Sequence, residues 1–179
     1  MHNTRHLLAV AIVSITLAGC GDGKTPIVPT PEGPAPGELR FEYSGAYTGT
    51  FSAMGDPRAS RVAAAAVNYD DEEELYIVGY RYPPQGFDFD DFGIVVPNPQ
   101  VGTIDCATMT TCPVKHAFVA FNATSPGSGY GDATSLRLTI STLRADSVKG
   151  TFEMQVRMRD SGATLSVTKG GFSLPRFHF

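Results

Sequence analysis

Residues 148–158 read VKGTFEMQVRM. Val148, Gly150, Phe152, Met154, Val156 and Met158 fall on one parity. Lys149, Thr151, Glu153, Gln155 and Arg157 fall on the other, and Arg159 continues it. Successive side chains on a strand point to opposite faces, so this alternation predicts a strand with one face in a core and one in water. The pattern spreads in both directions. Leu136, Leu138 and Ile140 alternate with Arg137, Thr139 and Ser141. Phe41, Tyr43, Tyr47 and Phe51 share one parity near the other end of the chain and read as a first strand. Residues 61–69, 75–82, 92–96, 114–122 and 163–169 bring the set to about eight strands. Ala63–Ala66 favours a helix by propensity, but Val62, Val67 and Tyr69 around it favour a strand.

Turn signals separate the strands: Gly55-Asp56-Pro57, Asp70-Asp71, Pro83-Pro84-Gln85-Gly86, Pro97-Asn98-Pro99, the run from Ser125 to Asp132, and Ala145-Asp146-Ser147. No stretch pairs helical periodicity with caps. Short sequential strands without crossover helices imply antiparallel pairing. The predicted fold is all-β, a single antiparallel β-barrel or β-sandwich; periodicity alone fits either.

The 179 residues carry 14 Lys plus Arg and 18 Asp plus Glu, a net charge of -4. A nucleic-acid binder would show a basic excess, so that class is set aside. The start of the chain is different in kind. Residues 1–6 are polar with Arg5, and residues 7–18 (LLAVAIVSITLA) are uncharged and mostly apolar. A basic start, an apolar stretch of this length and small residues after it describe an export signal. Spanning a membrane takes about 20 apolar residues, so a transmembrane helix does not fit. Residues 21–38 hold five prolines and four glycines. They read as an extended tether, and the folding domain is residues 39–179.

Leu17-Ala18-Gly19-Cys20 resembles the lipobox of bacterial lipoproteins. That resemblance implies removal of residues 1–19, lipidation of Cys20, and an envelope protein held to a membrane by its N-terminal acyl chains. Asp22 lies one place beyond the position that retains such proteins at the inner membrane, which favours the outer membrane. The C-terminal part, with Gly150-Thr151-Phe152 and then Thr168, Gly170 or Gly171, and Phe172, resembles a group of uncharacterised β-rich bacterial lipoproteins. Gly45-Ala-Tyr-Thr-Gly-Thr-Phe51 echoes their first strand. The resemblance implies a fold and a compartment and assigns no catalytic residue.

Candidate chemistry is sparse. Cys106 and Cys112 remain once Cys20 is lipidated, and an oxidising compartment predicts a disulfide between them. Zinc held by Cys106, Cys112 and His116 lacks a fourth ligand. Eight of the eighteen acids lie between residues 70 and 91. Asp70, Asp71, Glu72, Glu73 and Glu74 form one run, and Asp88, Asp90 and Asp91 the other. Two such loops at one end of a barrel would make a calcium site, although their spacing does not match the calcium-loop pattern. Lys149, Arg157 and Arg159 read as ordinary outward residues or as a face for anionic headgroups.

No nucleophile stands with a base. Ser166 and Lys169 match Ser-x-x-Lys, but on a strand they point to opposite faces. His178 is next to the last residue, and Gly127-Ser-Gly129-Tyr-Gly131 reads as a flexible turn. Tyr76, Tyr80 and Tyr82 share one face of a strand, with core packing and ligand binding both open to them. With Asp88, Asp90 and Asp91 they are the candidate ligand surface. The expected function is therefore a lipid-anchored envelope domain that binds an envelope protein or a small ligand, or serves structurally, with no cofactor. A periplasmic hydrolase using acidic loop residues is the alternative.

Overall fold

The computed structural model describes residues 33–54, 63–69, 72–81, 90–121 and 129–177. The lipobox and Cys20, most of the tether, Asp70, Asp71, Tyr82 and Asp88 lie outside the described residues. Residues Glu32–Phe179 form one compact unit.

The unit is all-β. Its strands are β1 (Glu38–Gly45), β2 (Gly49–Met54), β3 (Ala63–Tyr69), β4 (Glu72–Arg81), β5 (Asp90–Pro97), β6 (Gly102–Cys106), β7 (His116–Phe121), β8 (Gly129–Leu143), β9 (Ser147–Met158) and β10 (Thr164–Phe177). Ten strands replace the expected eight for two reasons. The stretch expected as a first strand is a hairpin: Gly45 takes a φ of +112°, the chain turns at Ala46–Thr48, and Phe41 returns opposite Phe51. Residues 102–106, outside the strands expected from periodicity, pair with Leu136–Ile140 of β8 as an edge strand. The Ser125–Asp132 turn is also shorter than expected, since Gly129–Asp132 already pair with β7. Gly131 belongs inside β8 because a Cβ there would come within 2.5 Å of Val156 Cγ1 and 2.8 Å of Met158 Sδ. The two β9 side chains fill the space a larger residue would need.

Hydrogen-bonded pairs run round into a ring: β10 to β3, β4, β5, β7, β8, β9 and back to β10. Every pair is antiparallel except β10 with β3, a parallel seam of Arg176↔Ala65 and Phe177↔Ala66. Long strands make the curl possible because each changes partner along its length. One edge of β10 carries β1 as far as Ser173 and β3 from Arg176. Pro175, which has no N–H to donate, sits at the changeover. One edge of β8 carries β7 at residues 129–132 and β6 at 136–140. Joining neighbours in this way removes most of the exposed edge a flat sheet would carry.

The alternation in β9 holds along its length, with Val148, Gly150, Phe152, Met154, Val156 and Met158 buried and the residues between them exposed or half-exposed. Inside the curl, Phe92 stacks on Phe152 with centroids 4.7 Å apart. Phe41 stacks on Phe51 at 4.8 Å and meets Phe92 at 5.1 Å and Phe152 at 5.9 Å. Phe121 lies 4.8 Å from Tyr43, and Phe172 lies 6.3 Å from Phe152. Six fully buried phenylalanines therefore fill the interior.

Cys106 and Cys112 are joined by a disulfide with Cα atoms 5.2 Å apart. It ties the end of β6 to the segment after a short 3-10 turn, Met109–Thr111. In the chain-entropy picture a loop this short adds about 2 kcal/mol.

Candidate ligand surface

Period two decides which side chains of β4 face out. Leu75, Ile77 and Gly79 are buried, while Tyr76, Val78 and Tyr80 are half-exposed. The tyrosine stripe thus lies on the outside, and of the two readings open to it core packing is excluded for Tyr76 and Tyr80.

Neighbouring strands extend that face. Tyr76 stands opposite Val95, Val78 opposite Gly93, and Tyr80 opposite Asp91. On β7 the half-exposed His116 and Phe118, with the buried Ala120 of the same parity, pair with Val95, Gly93 and Asp91. On β8 the outward residues are Tyr130, opposite Ala120, and Asp132, opposite Phe118. Phe118 lies against Gly93, where a Cβ would come within 2.4 Å of its Cε1. Only glycine lets the ring settle onto β5. Phe118 stacks on Tyr130 with centroids 5.2 Å apart and planes 15° from parallel. His116 lies 5.2 Å from Phe118, and its Nε2 is 2.9 Å from the Tyr130 hydroxyl. His116, weighed and set aside as a zinc ligand, thus faces Tyr130, and Cys106 and Cys112 are bonded to each other, as expected.

Charges on this face are organised in pairs. Glu74 accepts hydrogen bonds from the Tyr76 hydroxyl (2.5 Å) and from Lys115 Nζ (2.8 Å). The Lys115 bond, then the Tyr76 bond, hold the Glu74 carboxyl below the usual range. Arg159 donates to Asp132 through Nε (2.7 Å) and Nη2 (3.0 Å), and its guanidinium lies 4.2 Å from the Tyr130 ring centroid. The Arg159 bonds lower the Asp132 carboxyl, while burial first and the Asp132 charge second raise the Tyr130 hydroxyl. Arg159 therefore belongs to this face and is committed to Asp132, which weighs against the headgroup reading of its charge.

Asp91 is different. Its Oδ1 is buried without a hydrogen-bond partner. Burial pushes its carboxyl up from 3.8 to about 6, against the opposing effect of the Phe92 backbone N–H. A raised carboxyl favours the neutral form in the folded chain. Stability is therefore highest below the unfolded value and falls as pH rises from 3.8 to about 6. The shift corresponds to about 3 kcal/mol at most, and the partial exposure of the side chain reduces it to about 1 kcal/mol. Asp91→Asn is expected to raise stability by about 1 kcal/mol at pH 8 and to leave it unchanged at pH 4, as read by urea unfolding at the two pH values.

Asp90 does not belong to the surface. It shares the inward parity of Phe92, Ile94 and Val96 and is fully buried. Arg81 Nε and Nη2 donate to its Oδ2 at 3.0 and 2.6 Å. The described members of the two acidic runs lie apart. Glu74 pairs with Pro97, and Asp90 pairs with Arg81 at the other end of the same hairpin. Seven residues of strand separate them, about 23 Å. Among the described residues no group of three or more His, Cys, Asp or Glu is placed to hold a metal.

Sequence reasoning missed His116, Phe118, Tyr130, Asp132 and Arg159 as one surface. Residues 129–133, Gly-Tyr-Gly-Asp-Ala, carry the signal: small residues alternate with Tyr130 and Asp132, as a strand with a tightly packed inner face requires. Searches against protein-family models, curated proteins and solved structures find no match to this chain.

Proposed function

We propose that the chain is a lipid-anchored cell-envelope protein whose β domain binds a ligand through the outer face of β4, β5, β7 and β8. Anchoring rests on the export signal and the lipobox ending at Cys20, with the outer membrane as its favoured site. Binding rests on one observation above the others: the half-exposed Tyr76 and Tyr80 continue across β5 into Phe118, His116 and Tyr130. Monomeric proteins seldom leave a contiguous aromatic surface in water without a use for it. Aromatic rings with polar tips are the side chains that interfaces favour. The hydrolase reading needs two carboxylates at one cleft, and Glu74 and Asp90 stand at opposite ends of a hairpin.

Two variants test the two halves. Cys20→Ser is expected to move the protein from the membrane fraction to the soluble one and to abolish lipid labelling. Continued membrane partition without label would overturn the anchor. Tyr76→Ser combined with Phe118→Ser is expected to stay anchored and folded. Its retention of solubilised envelope components, with the chain immobilised, should fall about tenfold or more. Retention equal to that of the unaltered chain would overturn the binding face.

A further inference from the structure

Phe118 is the centre of the outer face. Its ring sits on Gly93 and stacks on Tyr130. Val78 stands beyond Gly93 in the same row, and Asp132 stands opposite Phe118 on the other side. His116 is the next outward position along β7, 5.2 Å from the same ring. Phe118, Val78 and His116 are half-exposed, and the side chains of Asp132 and Arg159 are 41% and 59% exposed. Water, and so a ligand, reaches all five.

Charge, size and polar groups together define what fits here. Asp132 is matched by Arg159 and Glu74 by Lys115, so the face around Phe118 calls for neither an anion nor a cation. Asp91 lies in the end row, with Oδ1 buried. Three strand gaps of about 4.8 Å and four residue steps of about 3.3 Å make the face about 14 Å by about 13 Å. A stable protein interface takes about 800 Å² from each partner, several times that footprint. Arg159 holds Asp132 through Nε and Nη2, which leaves Nη1 for a ligand. His116 engages Tyr130 through Nε2, which leaves Nδ1. Each Asp132 oxygen accepts one of the Arg159 bonds and keeps a further lone pair.

We propose that this face binds an uncharged glycan chain, one sugar seated on the Phe118 ring with its hydroxyls on Asp132, Arg159 and His116. The proposal rests on the outer-face reading and names its ligand. A pyranose with all its hydroxyls equatorial has faces of C–H groups and a rim of hydroxyls. The C–H groups are slightly positive and lie well on the negative face of an aromatic ring. Hydroxyls both donate and accept, so two adjacent ones can bridge a carboxylate and a guanidinium that already hold each other. Phe118 is held by Gly93 and Tyr130, and Asp132 by Arg159, so binding costs little side-chain freedom. A phosphate-bearing ligand would gain from excess cations, and these two are matched by carboxylates. An extended peptide is read through main-chain bonds at a sheet edge, whereas this site is a sheet face.

The test uses the full chain in a phosphocholine detergent, with cellotetraose as probe and sorbitol as the acyclic control. Saturation-transfer NMR should show contact with the C–H groups of cellotetraose and none with sorbitol. Binding should be equal at low salt and in about 0.5 M NaCl, since no net charge is involved. Phe118→Leu keeps an apolar side chain on Gly93, should fold as before, and should weaken binding at least tenfold. Phe118→Tyr keeps the ring and should retain binding. Asp132→Asn should weaken it several-fold, and Lys149→Ala on β9 should leave it unchanged. No binding of cellotetraose, an equal response to sorbitol, loss of binding in salt, or binding that survives Phe118→Leu overturns the glycan site. Protease digestion of the envelope extract should leave what the immobilised chain retains. Retention lost on digestion shows a protein occupant and overturns the site as well. If cellotetraose does not bind while Tyr76→Ser with Phe118→Ser still loses envelope components, the outer-face reading stands and the glycan site falls. If neither effect is seen, both fall.

Discussion

Phe152→Ala is expected to lower the free energy of unfolding by about 4 kcal/mol. Phe152 is the hub of the interior. Its ring lies 4.7 Å from Phe92 on β5, 5.9 Å from Phe41 on β1 and 6.3 Å from Phe172 on β10. β9 and β5 are not paired with each other, so the contact with Phe92 joins strands that backbone hydrogen bonds connect only through others. Truncation removes the apolar burial and leaves a cavity whose neighbours are themselves large, flat and held by other rings, so collapse into it is restricted. Urea unfolding of the variant should show a lower midpoint with little change in slope. A loss below about 1 kcal/mol would mean that the interior is not packed around this ring. Phe118→Ala on the outer face should cost far less, since its ring is half-exposed.

Asp90→Ala is expected to cost about 3 kcal/mol, because it strands a cation. Arg81 gives two hydrogen bonds to Asp90 Oδ2 and a third, at 2.8 Å, to the Thr50 carbonyl of β2. Its guanidinium lies 5.1 Å from the Phe51 ring centroid. The pair thus fixes the end of the β4–β5 hairpin to the β1–β2 hairpin. Removing the carboxylate leaves Arg81 held against an aromatic ring without its counter-charge, while replacing both residues by apolar ones removes charge and partner together. Asp90→Leu with Arg81→Met should therefore recover most of the loss, since buried ion pairs stabilise little relative to well-packed apolar groups. A double variant less stable than Asp90→Ala would show that the Thr50 and Phe51 contacts matter more than the charge balance.

Period two made the strands legible wherever one face is wet. In β9 each residue alternates as its neighbours predict, and the side-chain pattern alone locates it. Legibility fails where two strands of the same parity follow one another. Phe41, Tyr43 and Phe51 face the same core, so their parity gives no sign of the turn between them. It fails again at β6, where Gly102–Cys106 is mostly exposed and has no apolar face to report. The seam between β10 and β3 rests on two backbone pairs between residues far apart in the chain. No local pattern encodes such a contact.

The surface was half legible for the same reason. Tyr76 and Tyr80 announce a face because they lie on one strand. Phe118 and Tyr130 join it only through the pairing of β5, β7 and β8. Asp90 and Asp91 look equivalent as neighbours in an acidic run, yet alternation sends one inward to Arg81 and the other outward beside Tyr80. Their different chemistry follows from that single step of parity.

Hydroxyl-radical footprinting of the full chain, alone and in solubilised envelope extract, tests the central claim most directly. The account predicts that Tyr76, Tyr80 and Phe118 lose oxidation in the extract, while Met54, exposed on β2, does not. Equal oxidation at the three aromatic positions with and without extract, or protection at Met54 instead, would contradict it.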